Sequence, residues 1–273
     1  MTDNASGQRL LIALDVDGTV VLEDESPSPG VLDAVAEAVR DGHEVMLATG
    51  RSWAATGRIM TMLGIAPEYA VCANGAAIYK RGDDGEYERF HTELFDPSPA
   101  LDILEQHLPD AHYMVEHGDG TRLYTDEMHD WSLNLAHQVT FEELKAQPVS
   151  RIVVVSPEHD EKDFAELVST IGLNQVSYAV GWTAWLDIAP QGVDKGSGLD
   201  LVCAWLGHDR ANTVVIGDGR NDLGMFAWAQ ENGGTAVAMG QAPEEVKDAA
   251  SYITRRVQEG GVTEVLRGLQ PAR

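Results

Sequence analysis

The chain has 273 residues, 44% hydrophobic and 23% charged, which suits a globular protein of one large domain or two modest ones. Nineteen Lys and Arg against 44 Asp and Glu give a net charge of −25, a field that repels polyanions and argues against a nucleic-acid partner. Apolar runs such as residues 10–14 and 152–155 fall far short of the ~20 residues that cross a bilayer, so no membrane segment is expected. Residues 1–9 are polar and lack the layout of a signal peptide. The two cysteines, Cys72 and Cys203, each lie in an apolar stretch and read as buried, reduced thiols. A cytoplasmic protein is expected, with its oligomeric state left open.

Arg9-Leu-Leu-Ile-Ala-Leu-Asp15 is a short apolar run ending in a carboxylate, the pattern of a strand buried on both faces. The acidic, proline-bearing residues 23–30 predict a loop. Val31, Leu32, Val35 and Val39 recur at helical spacing, and Gly42 is placed to stop that helix. Residues 43–49 predict a strand, 52–63 a helix and 69–73 a third strand. Near the other end, 195–206 predict a helix, 213–218 a strand and 221–230 a helix. Strands over 235–239 and 251–254, with a helix over 243–250 between them, complete the alternation. Such alternation implies right-handed crossovers and an α/β fold with a doubly wound parallel sheet.

The middle of the chain departs from that rhythm. Gly82 and Gly85 mark a hairpin within residues 80–95, and Gly118-Asp-Gly120 marks another within 112–125. A strand over 150–156, a helix over 160–171 and paired strands within 175–188 follow. This α+β pattern parses as an insertion: residues 94–186 divide a core made of 1–93 and 187–273.

Chemistry concentrates where predicted parallel strands end. In Asp15-Val-Asp-Gly-Thr19, period-two geometry sets Asp15 and Asp17 on one face, Gly18 permits a sharp exit and Thr19 supplies a hydroxyl. Two carboxylates so close need a cation or a shared proton; the alternative is a plain acidic turn. Asp218-Gly-Arg-Asn-Asp222 follows another apolar strand, and Asp218 would join the first pair if the strands are neighbours. That hard-oxygen set suits Mg²⁺, whereas Asn221 or Asp222 alone could be a helix cap. Thr49-Gly50-Arg51 opens a helix, either as a phosphate cradle or as an ordinary N-terminus with a solvated Arg. Lys195, at a helix start against the dipole preference, calls for an anionic ligand or the carboxylates as partner. Asn74 and Gly75 end the third strand and either line the site or turn the chain. No histidine spacing supports zinc, and no Walker-type phosphate loop is present.

Taken in order, Asp15-Val-Asp-Gly-Thr19, Thr49-Gly-Arg51, Lys195 and Gly217-Asp-Gly-Arg-Asn-Asp222 resemble the four motifs of the haloacid dehalogenase (HAD) superfamily. Asn74-Gly-Ala-Ala-Ile78 and Val193-Asp-Lys-Gly196 further resemble its Cof-like phosphatase branch, which carries a type IIB cap in the position of the insertion. The resemblance implies a Rossmannoid core with an inserted cap, and a Mg²⁺-dependent phosphatase acting on a small phosphorylated metabolite. It implies that Asp15 is the nucleophile, forming an aspartyl phosphate, and that Asp17 is the acid and base. Mg²⁺ would be held by Asp15, the Asp17 carbonyl and Asp218, with Asp222 acting through water. Thr49, Gly50, Arg51, Lys195 and Asn221 would bind phosphate. Aspartate at position 17 points to phosphoester chemistry; a phosphotransferase or mutase, and a non-catalytic phosphometabolite sensor, are the alternatives. The cap would act as a lid, with Arg122, Tyr124, Trp182 and Trp185 as candidate readers of the leaving group, against core packing for the aromatics and a solvated charge for Arg122.

Overall fold

The computed structural model describes residues 8–128, 136–157, 164, 166, 167, 171, 173, 176–180 and 185–272. The chain forms two compact units, one of residues 1–90 and 194–273 and one of residues 91–193. These limits differ by a few residues from those expected, because one continuous strand runs to Pro190 and pairs within the second unit.

In chain order the first unit contains β1 (Leu11–Leu14), α1 (Val31–Arg40), β2 (Glu44–Leu47), α2 (Trp53–Leu63), β3 (Tyr69–Cys72), β4 (Ala77–Arg81) and β5 (Tyr87–Thr92, whose last residues cross the unit boundary). The second unit holds α3 (Ser98–His107), β6 (His112–His117), β7 (Arg122–Tyr124), β8 (Ala136–Gln138), β9 (Val149–Val155), β10 (Val176–Val180) and β11 (Trp185–Pro190). The chain then returns through α4 (Lys195–Leu206), β12 (Thr213–Gly217), α5 (Leu223–Glu231), β13 (Thr235–Ala238), α6 (Glu244–Asp248), β14 (Tyr252–Ile253) and α7 (Gly261–Arg267).

The core sheet runs β14-β13-β12-β1-β2, all parallel, and a bridge between Ala48 and Val71 leads on to β3. Successive side chains of β1 point to opposite faces, which is why its run is apolar throughout. Ile12 and Leu14 pack with Val35 of α1, Ile59 of α2 and Val265 of α7. Leu11 and Ala13 pack with Leu199 of α4, Phe226 of α5 and Val246 of α6. Helices therefore cover both faces, and full burial of each such Leu or Ile stabilises the fold by about 2 kcal/mol. The sheet is doubly wound, as the alternation predicts.

The second unit is a six-stranded sheet in the order β10-β11-β9-β6-β7-β8. Leu101 and Leu104 of α3 pack on Val115, Ile152 and Ile188 from one face. The residues alternating with these include Glu116, Arg151 and Asp187, all buried, with Arg151 Nε 3.4 Å from Glu116 Oε2. Arg122 is buried, not solvated, and pairs in register with Glu116; Tyr124 and Trp185 are half-buried. The helix expected over 160–171 falls largely outside the described residues, and Trp182 lies outside them.

Candidate active site

Parallel strands end together, so loops that follow β1, β2, β3 and β12 gather at one sheet edge, where open α/β sheets place ligands. Asp15 leaves β1 with its N–H still bonded to Ile216 O of β12 at 2.9 Å. The register Leu14 to Ile216 makes β1 and β12 neighbours, so Asp218 does join Asp15. Oxygens of Asp15, Asp218 and Asp222 all lie within 4.8 Å of one another, and all three residues are buried. Gly18 is what lets Asp218 in: a Cβ there would lie 2.2 Å from Asp218 Oδ2.

Lys195 is fully buried and donates to Asp15 Oδ1 at 2.6 Å and to Asp222 Oδ1 at 2.6 Å. Its place at a helix start is thus met by carboxylates, while Asp194 caps the helix by accepting from Ser197 N at 2.8 Å. Burial works against the ammonium, but Asp15 and Asp222 hold it above its usual range. Burial pushes the Asp15 carboxyl well up; Lys195 pulls it down, and Asp222, Asp218 and Asp17 push it further up. Asp218 is pushed up to about 7 by burial and by Asp222.

Asp222 spends its other oxygen on two backbone donors, Asp218 N and Gly219 N, each at 2.8 Å. It fixes the loop that carries Asp218 and is the N-terminal neighbour of α5. Asp15 Oδ2 and Asp218 Oδ1 accept no hydrogen bond from the described residues. Three buried carboxylates against one ammonium leave surplus negative charge, and two oxygens without protein donors are hard ligands for a cation. The donor set fits Mg²⁺.

Other expected site residues fall nearby, each with its own protein contacts. Thr49 is fully buried and its Oγ1 accepts from Arg51 N at 3.1 Å, while Gly50 lies against the Asn74 amide. Asn221 Nδ2 donates to Asn74 Oδ1 at 3.1 Å, joining two loops. Ala73, Asn74 and Gly75 are all left-handed, a strained run that turns the chain sharply after β3. Gly75 is structural, since a Cβ there would meet the Asp194 carbonyl at 2.0 Å. Thr19 is fully buried with Oγ1 unpaired by hydrogen bonds. Arg51 is turned to carboxylates: it donates to Asp17 at 2.9 and 2.6 Å and to Glu25 at 2.6 Å. The Asp17 side chain accordingly stands apart from the buried cluster and is more than half exposed.

Two site residues escaped the sequence reading. Gln241 Nε2 donates to Asp218 Oδ2 at 3.1 Å and to Gly18 O at 2.5 Å, while its Oε1 accepts from Val257 N at 3.0 Å. It follows β13, so the strand-end rule that singled out Asp15 could have found it. Glu25 lies in a loop whose composition gave only a loop.

The fold and this constellation are those of a HAD-type hydrolase of the Cof-like branch. Residues 12–266 match the family described as haloacid dehalogenase-like hydrolase, and the chain belongs to it. Among curated relatives, the chain is 26% identical over 271 residues to the 5-amino-6-(5-phospho-D-ribitylamino)uracil phosphatase YitU of Bacillus subtilis, covering 94% of this chain and 96% of that one. It is 27% identical over 265 residues to the pyridoxal phosphate phosphatase YbhA of Escherichia coli, covering 89% and 92%. Its fold is similar to that of the HAD subclass IIB sugar phosphatase BT4131, with a TM-score of 0.78, 22% identity, and 95% and 98% of the two chains covered. Among the described residues no helix is long and apolar enough to cross a membrane.

Proposed function

We propose that the protein is a Mg²⁺-dependent phosphatase that hydrolyses a small phosphorylated metabolite through an aspartyl phosphate on Asp15. The observation that carries this reading is the buried cluster in which Lys195 bonds Asp15 while Asp218 and Asp222 stand within 4.8 Å. Asp15 and Asp218 would hold the ion, with Asp222 and Gln241 fixing the Asp218 loop. When bound, Mg²⁺ supplies charge neutralisation between an anionic nucleophile and an anionic phosphate.

The chain's own groups divide the remaining work. Asp15 attacks phosphorus, forming its O–P bond as the bond to the leaving oxygen breaks. Asp17 gives that oxygen a proton, then takes one from the water that cleaves the aspartyl phosphate and restores Asp15. Lys195 keeps Asp15 oriented and offsets charge on the transferring group. The Thr49–Arg51 turn is assigned to the phosphate, with Arg51 N bonded inside the turn to Thr49 Oγ1 and the Arg51 side chain bonded to carboxylates.

A net charge of −25 disfavours a polymeric polyanion, and the names of the relatives YitU and YbhA support a phosphorylated polyol or cofactor monoester. Phosphate release across sugar, polyol, nucleotide and cofactor monoesters, with Mg²⁺ and with chelator, tests the reading. Metal-dependent release concentrated on one group supports it. No release from any ester by folded protein with Mg²⁺ refutes it.

A further inference from the structure

Arg51 presents every nitrogen of its guanidinium to a protein carboxylate. Nε and Nη2 grip the two oxygens of Asp17 at 2.9 and 2.6 Å, and Nη1 donates to Glu25 Oε1 at 2.6 Å. Two carboxylates on one guanidinium leave that corner net negative, a poor seat for phosphate. The base of the side chain is fixed as well: Arg51 N donates to Thr49 Oγ1, and Arg51 O accepts from Ala73 N at 3.0 Å.

Glu25 is held just as firmly. It has φ 63, a conformation uncommon for a residue other than Gly, Asn or Asp. Such strain persists only where the surroundings over-determine it. Here Glu25 N donates to Leu22 O at 3.0 Å, Leu22 N to Ser26 O at 2.9 Å and Ser26 N to Asp24 Oδ1 at 3.0 Å. Bridges Asp17–Val21 and Val21–Pro27 tie this loop back to Asp17 itself, and Ser28 Oγ anchors it to Val257 O at 2.7 Å. Asp17 and Glu25 are both 57% exposed at the side chain, so ion pairs of this kind add little to stability. What the arrangement does fix is direction. A bidentate fork determines the plane of the Asp17 carboxylate, and a second carboxylate stops the fork from swinging away.

We infer that Glu25 and Arg51 form a clamp that orients Asp17, Glu25 being a positioning residue that acts through Arg51. The inference rests on the phosphatase reading, in which Asp17 serves the leaving oxygen. On this inference the Arg51 side chain serves Asp17 in place of the phosphate contact expected of it.

The test compares wild type, Glu25→Gln, Arg51→Lys and the double variant with two esters: 4-nitrophenyl phosphate, whose leaving group needs no proton, and the alkyl phosphate most active in the substrate panel. Lysine keeps the charge of Arg51 but cannot grip both Asp17 oxygens. In both single variants kcat on the alkyl ester should fall by about tenfold or more, and on the aryl ester by about threefold or less, with KM held within about twofold. Glu25→Gln should add nothing once Arg51 is Lys. Equal losses on both esters, a KM rise at unchanged kcat, or unaltered kinetics of Glu25→Gln would each overturn the clamp while the enzyme remains a phosphatase. Failure of wild type to release phosphate from either ester overturns the phosphatase reading, and the clamp with it. Glu25 is exposed, so its variant tests the inference even if Arg51→Lys fails to fold.

Discussion

Lys195 donates its ammonium to the Asp15 carboxylate at 2.6 Å although 180 residues separate them, so one buried ion pair joins the first strand's end to the returning chain. Lys195 is fully buried and also serves Asp222, so its removal strands two carboxylates away from water. Lys195→Met should cost about 3 kcal/mol of unfolding free energy and abolish turnover. Denaturant unfolding with and without Mg²⁺ measures the first; a stability equal to wild type in chelator would contradict this account of the cluster.

Asp15→Asn should behave in the opposite way on stability. Burial and three neighbouring carboxylates raise the Asp15 carboxyl, so its ionised form is a burden on the folded state at neutral pH. The amide removes that burden and the nucleophile together. Melting temperature should stay level or rise in chelator, turnover should vanish, and the rise in melting temperature produced by Mg²⁺ should shrink. Retained phosphate release by a pure mutant would remove Asp15 from the nucleophile's role.

Asp218 sets a pH dependence whose sign can be worked out. Its folded value, about 7, lies above the ordinary 3.8, so the folded state binds the extra proton. The associated stability is fully present at low pH and is lost as pH rises through about 7. Metal-free protein should therefore lose stability from about pH 4 to about pH 7, Asp15 acting in the same direction. Asp218→Asn should flatten that slope. Thermal melts in chelator across this range check both statements, and a wild-type slope of the reverse sign would sink them.

The carboxylates of the candidate site were legible because strand geometry is local. An apolar run fixes β1, alternation fixes the faces, and Asp15 follows at the strand end. Asp218 was legible for the same reason, and the register between β1 and β12 brings the two together. Glu25 and the true partner of Arg51 were not, because their meeting depends on a loop conformation with a left-handed residue that composition cannot encode. Asn74 left two readings open from sequence; the hydrogen bond its Oδ1 accepts from Asn221 Nδ2, 147 residues away, is a tertiary fact. In the second unit the turn-forming glycines marked the β6–β7 hairpin, but α3 and β8 were missed. The short β8 pairs in parallel with β7, a partner that no hairpin signal announces.

Gly75 offers a test of how the third strand's loop supports the site. It sits at φ 98, and any Cβ there would press to 2.0 Å from the Asp194 carbonyl. Asp194 caps α4, and Lys195 is the next residue, so a push at Gly75 is transmitted to the ammonium that bonds Asp15. Gly75→Ala combines backbone strain with a steric clash against main chain, which together cost about 2 kcal/mol or more. Turnover should fall by about tenfold or more, because displacements near 1 Å in a catalytic group carry losses of that order. Unfolding and phosphate-release measurements on this variant check the two effects separately. Wild-type turnover in a destabilised Gly75→Ala protein would show that Lys195 is positioned independently of this contact.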